Sequence, residues 1–351
     1  MTIIRIAAIV AASVTTLLAQ PGPTATEIYR AAVAEYLKSG DAARSARPLA
    51  TLGPGQLEPA VKAILARAEP RELEAAADLH LEIGIAVAGL SVSGASAYFD
   101  QGSRLVTAIV PPPAIRKGVS ALRLVDMALI SSTWHRVAAS TLLSINDVAR
   151  ARPIIQRALR LAPQSAALLT VLGTAHEIDA GVQNPDLFDS LSGKTHTAQR
   201  RSSTLLFAEK SYKAALESDP AYALALIRLG RVQFLQDNVK AARASLERGT
   251  ALAREPRHQF LAAMFTGALQ ESQKDLDGAR QSYARALTTA PQSQHAVAAL
   301  AFVDMMSGRL DRAERVARAY TSATLDDAWW LHKNGVFDVE GLQWLRQHLR
   351  Q

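Results

Sequence analysis

Ala208-Glu209-Lys210-Ser211-Tyr212-Lys213-Ala214-Ala215, Ala242-Arg243-Ala244-Ser245-Leu246-Glu247-Arg248-Gly249 and Ala279-Arg280-Gln281-Ser282-Tyr283-Ala284-Arg285-Ala286 are three versions of one pattern. A small residue is followed four positions on by a large one, and three further by another small one. That spacing puts all three on a single face of a helix. Leu229-Gly230 and Thr266-Gly267 stand ahead of the second and third blocks. Working outward, Ala151, Ile155 and Ala158 precede the series and Ala313 with Ala317 follows it. The equivalent alanines at 151, 208, 242, 279 and 313 are spaced by 57, 34, 37 and 34 residues. Self-similarity at such a period is the signature of a repeat architecture.

The residue types explain why the pattern would hold helices together. Gly173, Gly230 and Gly267, with Ala139 and Ala301 in the same places, let a first helix approach a second closely. The repeated alanines do so from the other side, and Ile155, Tyr212, Leu246 and Tyr283 fill the space beside the contact. Pro163, Pro220 and Pro291 stop each second helix, because the ring fixes φ and removes a donor. One such pair cannot bury its apolar face alone, so pairs must stack.

In period and in these Ala, Gly and Pro positions, residues 133–320 resemble the tetratricopeptide repeat, whose unit is 34 residues. A weaker echo covers residues 79–110, with Ile83-Gly84 and Ala95, Phe99 and Gly102. The chain departs from the family at the first-helix Trp, replaced by Leu226, Met264 and Val297. It departs again at the family's Tyr, replaced by His176, Gln233, Gln270 and Asp304. The long spacing of 57 is one period plus a 23-residue insertion, residues 181–203. The resemblance implies an all-α right-handed superhelix that binds a protein or peptide along a concave wall of first helices. Carried over residue by residue, that wall comprises Arg136, Thr170, Glu177, Ile227, Arg231, Phe234, Met264, Glu271, Phe302 and Met305. Some of these must instead pack between neighbouring units. The family's carboxylate clamp needs Lys and Asn where Arg136, Thr170, Thr174 and Ala298 stand, so that subtype is not indicated.

The rest of the chain fits around the array. Residues 1–19 read as a secretory signal: Arg5, an uncharged apolar run over 6–18 and a small-residue exit at Ala19 before Pro21-Gly22-Pro23. Export to the periplasm or the outside of a bacterial cell follows, with an uncleaved membrane anchor as the alternative. Residues 24–110 read as looser N-terminal helices, 111–118 as a proline-rich linker and 119–327 as the repeat array. Residues 328–351, with Trp329, Trp330, Phe337 and Trp344, read as an aromatic cap sealing the open end. The net charge of +7 comes without a run of four basic residues, so nucleic acid is not an expected partner. Cysteine is absent, which excludes disulfides, thiolate metal sites and a Cys nucleophile.

No catalytic constellation emerges. Ser192-Gly193-Lys194-Thr195 is half a phosphate-binding loop, with Phe188 where the opening Gly belongs. Gly89-Leu90-Ser91-Val92-Ser93 lacks the closing Gly of a nucleophile elbow. His176-Glu177 and Asp179 give one ligand pair on a helix without a third partner, and no other His shows ligand spacing. The expectation is a non-catalytic interaction scaffold with no cofactor and no metal. The rivals are a membrane-anchored assembly organiser and an enzyme whose site lies in the insertion.

Overall fold

A computed structural model describes residues 23–88, 92–111, 119–181, 196–291, 293–320 and 338–348. The signal segment, most of the linker and of the insertion, and Trp329, Trp330 and Phe337 lie outside these. The described residues form sixteen α-helices and no strand. Five lie in the N-terminal part: α1 (Ala25–Ser39), α2 (Ala42–Ala46), α3 (Pro54–Leu65), α4 (Pro70–Ala88) and α5 (Val92–Ile109). Ten follow as pairs: α6 (Ala121–Ser144) with α7 (Val148–Leu161), α8 (Ala166–Asp179) with α9 (His196–Ser218), α10 (Ala223–Leu235) with α11 (Val239–Leu252), α12 (Pro256–Ser272) with α13 (Leu276–Thr289), and α14 (Gln294–Met306) with α15 (Leu310–Tyr320). The last is α16 (Val339–His348). None is long and apolar enough to cross a membrane, among the described residues.

Local chemistry sets the helix ends. The second helices α7, α11 and α13 start at Asp147, Asn238 and Asp275, whose side chains accept backbone N–H bonds of the first turn. The residue before each cap, Asn146, Asp237 or Lys274, takes a left-handed conformation that reverses the chain. The first helices α8 and α14 start at Ser165 and Ser293, two residues after Pro163 and Pro291.

Packing follows the sequence pattern. Within each pair the helices lie against each other, each second helix also meets the next first helix, and α6, α8, α10 and α12 pack in series. A methyl group added at Gly173 would sit 2.7 Å from Tyr212 Cδ1, at Gly230 2.7 Å from Leu246 Cγ, and at Gly267 2.7 Å from Tyr283 Cδ1. The N-terminal echo makes the same contact, Gly84 against Phe99. Ala208, Ala242 and Ala279 are fully buried beside these contacts. The all-α superhelix of paired repeats therefore stands, and α4–α5 form a pair of the same kind.

Two features of the expected layout come out differently. One continuous apolar core runs from Tyr29 in α1 to Ile178 in α8, so the linker does not separate two cores. Trp134 of α6 bridges them, donating from Nε1 to Ala77 O at 2.9 Å. Of the expected aromatic cap, Trp329, Trp330 and Phe337 lie outside the described residues. Residues 338–348 do not seal the end of the array; α16 returns to lie against α6, and Leu342 and Leu345 join the N-terminal core. α15 presents Arg312, Glu314, Arg315 and Arg318 to solvent. Burying Leu342 and Leu345 contributes about 1.5–3 kcal/mol each.

Candidate interaction surface

The first helices form the wall on which the resemblance places partner contacts, and its residues divide into buried and accessible. Thr170, Glu177, Ile227 and Met264 are buried between neighbouring repeats. With their side chains enclosed they belong to the part of the expected set that packs inside the array. The chemistry explains Glu177: its carboxylate accepts from Arg228 at 2.6 Å, with Arg231 3.9 Å away. Arg231 also lies over the Phe265 ring, 4.9 Å from its centroid. Such a pair is stable only while both charges are present, since an uncompensated buried charge is costly. Glu271 accepts from Tyr283 Oη at 2.8 Å, and Phe234 is half-buried against the second core.

Of the remaining expected wall residues, Arg136 is partly covered while Phe302 and Met305 are exposed. Arg136 is held by Asp338 at 3.1 Å, so this part of the wall is taken by the protein's own C-terminal segment. The seat of α16 is well defined. Asp338 N donates to Ser140 Oγ at 3.1 Å, Leu342 and Leu345 enter the core, and Arg346 pairs with Glu82 of α4. At the other end, Phe302 and Met305 of α14 are 44% and 48% exposed, with Met306 and Leu310 exposed beside them. These apolar side chains stand in water on α14 and at the start of α15.

Two polar constellations escaped the sequence reading. Glu255, at the cap of α12, and His258, one turn on, meet Glu340 of α16. Burial, with Arg257 nearby, lowers the His258 pKa to about 4, and burial together with the adjoining Glu340 carboxyl raises Glu255 to about 8. The Glu255-Pro256-Arg257-His258 spacing was visible in the sequence; its third member, 82 positions on, was not. The second is Ser103 Oγ, 2.9 Å from His135 Nε2, with His135 Nδ1 2.7 Å from Ser131 O. Both side chains are completely buried, and Arg157 donates to the same Ser103 oxygen at 2.9 Å. A substrate carbonyl has no approach to this hydroxyl, so the pair is a satisfied core network.

Comparison with known proteins agrees with the repeat geometry. A family model for the tetratricopeptide repeat matches residues 271–332. Compared with curated proteins, the sequence finds no significant match. Among solved structures, PilF of Pseudomonas aeruginosa is similar at 14% identity and TM-score 0.45, over 64% of this chain and 89% of that one. A thermophilic tetratricopeptide-repeat protein of Thermus thermophilus is similar at 20% identity and TM-score 0.41, over 70% and 99%. The Cut9–Hcn1 hetero-tetramer of the APC/C is similar at 14% identity and TM-score 0.49, over 86% and 48%. The family model thus matches the last repeats as tetratricopeptide repeats, and the Gly-to-aromatic contact they carry recurs from pair to pair through the array.

Proposed function

We propose that the protein is a non-catalytic scaffold whose first-helix wall receives a short amphipathic helix from a partner protein. The observation that carries this is α16. It is such a helix, seated on α6 by two apolar anchors three residues apart, Leu342 and Leu345, and by charged contacts at both ends. The chain thereby supplies its own example of what the wall accepts, in the helix-in-groove mode. The partner's anchors are assigned to the uncovered stretch at Phe302 and Met305, where flexible Met side chains suit adaptable apolar recognition. Residues 1–19 are assigned to export, which N-terminal sequencing of the mature protein, expected to begin at Gln20, would check.

The test selects amphipathic helical peptides on the immobilised full chain and repeats the binding with a Phe302→Asp, Met305→Asp double variant. Both positions are exposed, so helix content should be unchanged while the selected peptides lose most of their affinity. Peptides that bind the variant as well as the wild type would refute the assignment.

A further inference from the structure

The Glu255, His258 and Glu340 cluster joins two parts of the chain that sequence keeps far apart. One ligand-capable atom from each lies within 4.8 Å of the other two. His258 is 7% exposed, and its Nε2 has no hydrogen-bond partner; it lies 3.4 Å from Glu255 Oε2, which has none either. A buried imidazole nitrogen that faces two carboxylates without making a hydrogen bond is unusual, because buried polar atoms are nearly always satisfied. Nearby cations are largely engaged elsewhere: Arg228 pairs with Glu177 at 2.6 Å and Arg136 with Asp338 at 3.1 Å. Arg257 supplies part of the countercharge. Two carboxylate oxygens converging with one imidazole nitrogen form a donor set that suits a borderline divalent ion.

We propose that Glu255, His258 and Glu340 bind one divalent transition cation of the zinc class, which fastens α16 to the start of α12. At bond lengths of about 2.0–2.2 Å, tetrahedral ligand atoms stand roughly 3.4 Å apart, so the three must draw together by an ångström or so. Glu340 is exposed and at the first turn of α16, free to make that movement. Three protein ligands leave a fourth position for water or for a donor group of a bound partner. The site reaches beyond the scaffold reading and does not depend on it: peptide capture at Phe302 and Met305 can fail while the metal binds.

The experiment uses the full chain, stripped with a chelator and titrated with Zn²⁺ by calorimetry and with Co²⁺ by visible absorption. One equivalent should bind, with the visible bands of a low-coordinate cobalt site. Glu340→Gln and Glu255→Gln should each weaken binding more than about tenfold. Because the chain has no cysteine, single cysteines at the exposed Gln259 and Gln343 can carry spin labels. Zn²⁺ should narrow their distance distribution in the wild type and leave it unchanged in Glu340→Gln. Absence of stoichiometric binding, or equal affinity in Glu340→Gln, would overturn the proposal.

Discussion

Gly173→Ala tests the contact on which the repeat packing rests. In an ordinary helix interior the change gains about 1 kcal/mol of helix propensity. At Gly173 the added methyl would lie 2.7 Å from both Cδ1 and Cζ of Tyr212. Carbon atoms in contact prefer about 3.5–4.0 Å, so the ring must retreat by about 1 Å. Tyr212 is completely buried, so its ring can retreat only by displacing what packs around it. Overpacking of this kind costs about 1–3 kcal/mol, and a retreat this large belongs at the upper end. The net expectation is destabilisation by about 1–2 kcal/mol, against the propensity. Gly55→Ala in α3 is the control: nothing lies within 4 Å of its added methyl, so stability should rise by about 0.5–1 kcal/mol. Urea unfolding followed by far-ultraviolet circular dichroism measures both. Tyr212→Leu in the Gly173→Ala background should recover part of the loss. If Gly173→Ala stabilises as Gly55→Ala does, the close approach between first and second helices is not what holds the pairs.

Acid should weaken the protein well above the carboxylate range. Burial lowers His80 and His135 to about 4, against about 6.5 in the unfolded chain, so between those values the unfolded state binds more protons. Their contribution is therefore complete above pH 6.5 and lost as pH falls towards 4, about 2 kcal/mol each between pH 7 and 5. Urea midpoints at the two pH values should separate accordingly for the wild type and less for His135→Gln; an equal slope in both would contradict the assignment. Arg228→Met should cost about 3–5 kcal/mol by stranding the buried Glu177, while the double change with Glu177→Leu should recover most of it. Thermal denaturation decides this, and a double variant no better than the single one would mean the pair is not acting as a unit.

Much of the fold was legible because repeats restate their own rule. Gly230 with Leu246 and Gly267 with Tyr283 announce one contact at one spacing, and even the N-terminal Gly84–Phe99 pair could be found by it. The division of wall residues was harder. Glu177 and Met305 occupy the same place in the pattern, yet one is buried and paired with Arg228 of the next repeat and the other is 48% exposed. Burial there depends on neighbours, which periodicity does not identify. The seat of α16 was not legible at all. Leu342 and Leu345 advertise an apolar face without saying what meets it, and α6 lies some 200 residues away.

That separation has a consequence for how the chain reaches its final form. Among the described residues, the other main stacking contacts in the array join helices one or two elements apart, so each repeat can settle soon after it leaves the ribosome. The seat on α6 must wait. The hydrogen bond from Asp338 to Ser140 spans 198 positions, and at about 5–20 residues per second its donor emerges on the order of 10–40 seconds after its acceptor. For that interval the apolar strip awaiting Leu342 and Leu345 stays bare in an otherwise settled nascent chain. The closing helix is thus also a completion mark: an interrupted or truncated product would carry an unshielded strip that chaperones and proteases read as unfinished.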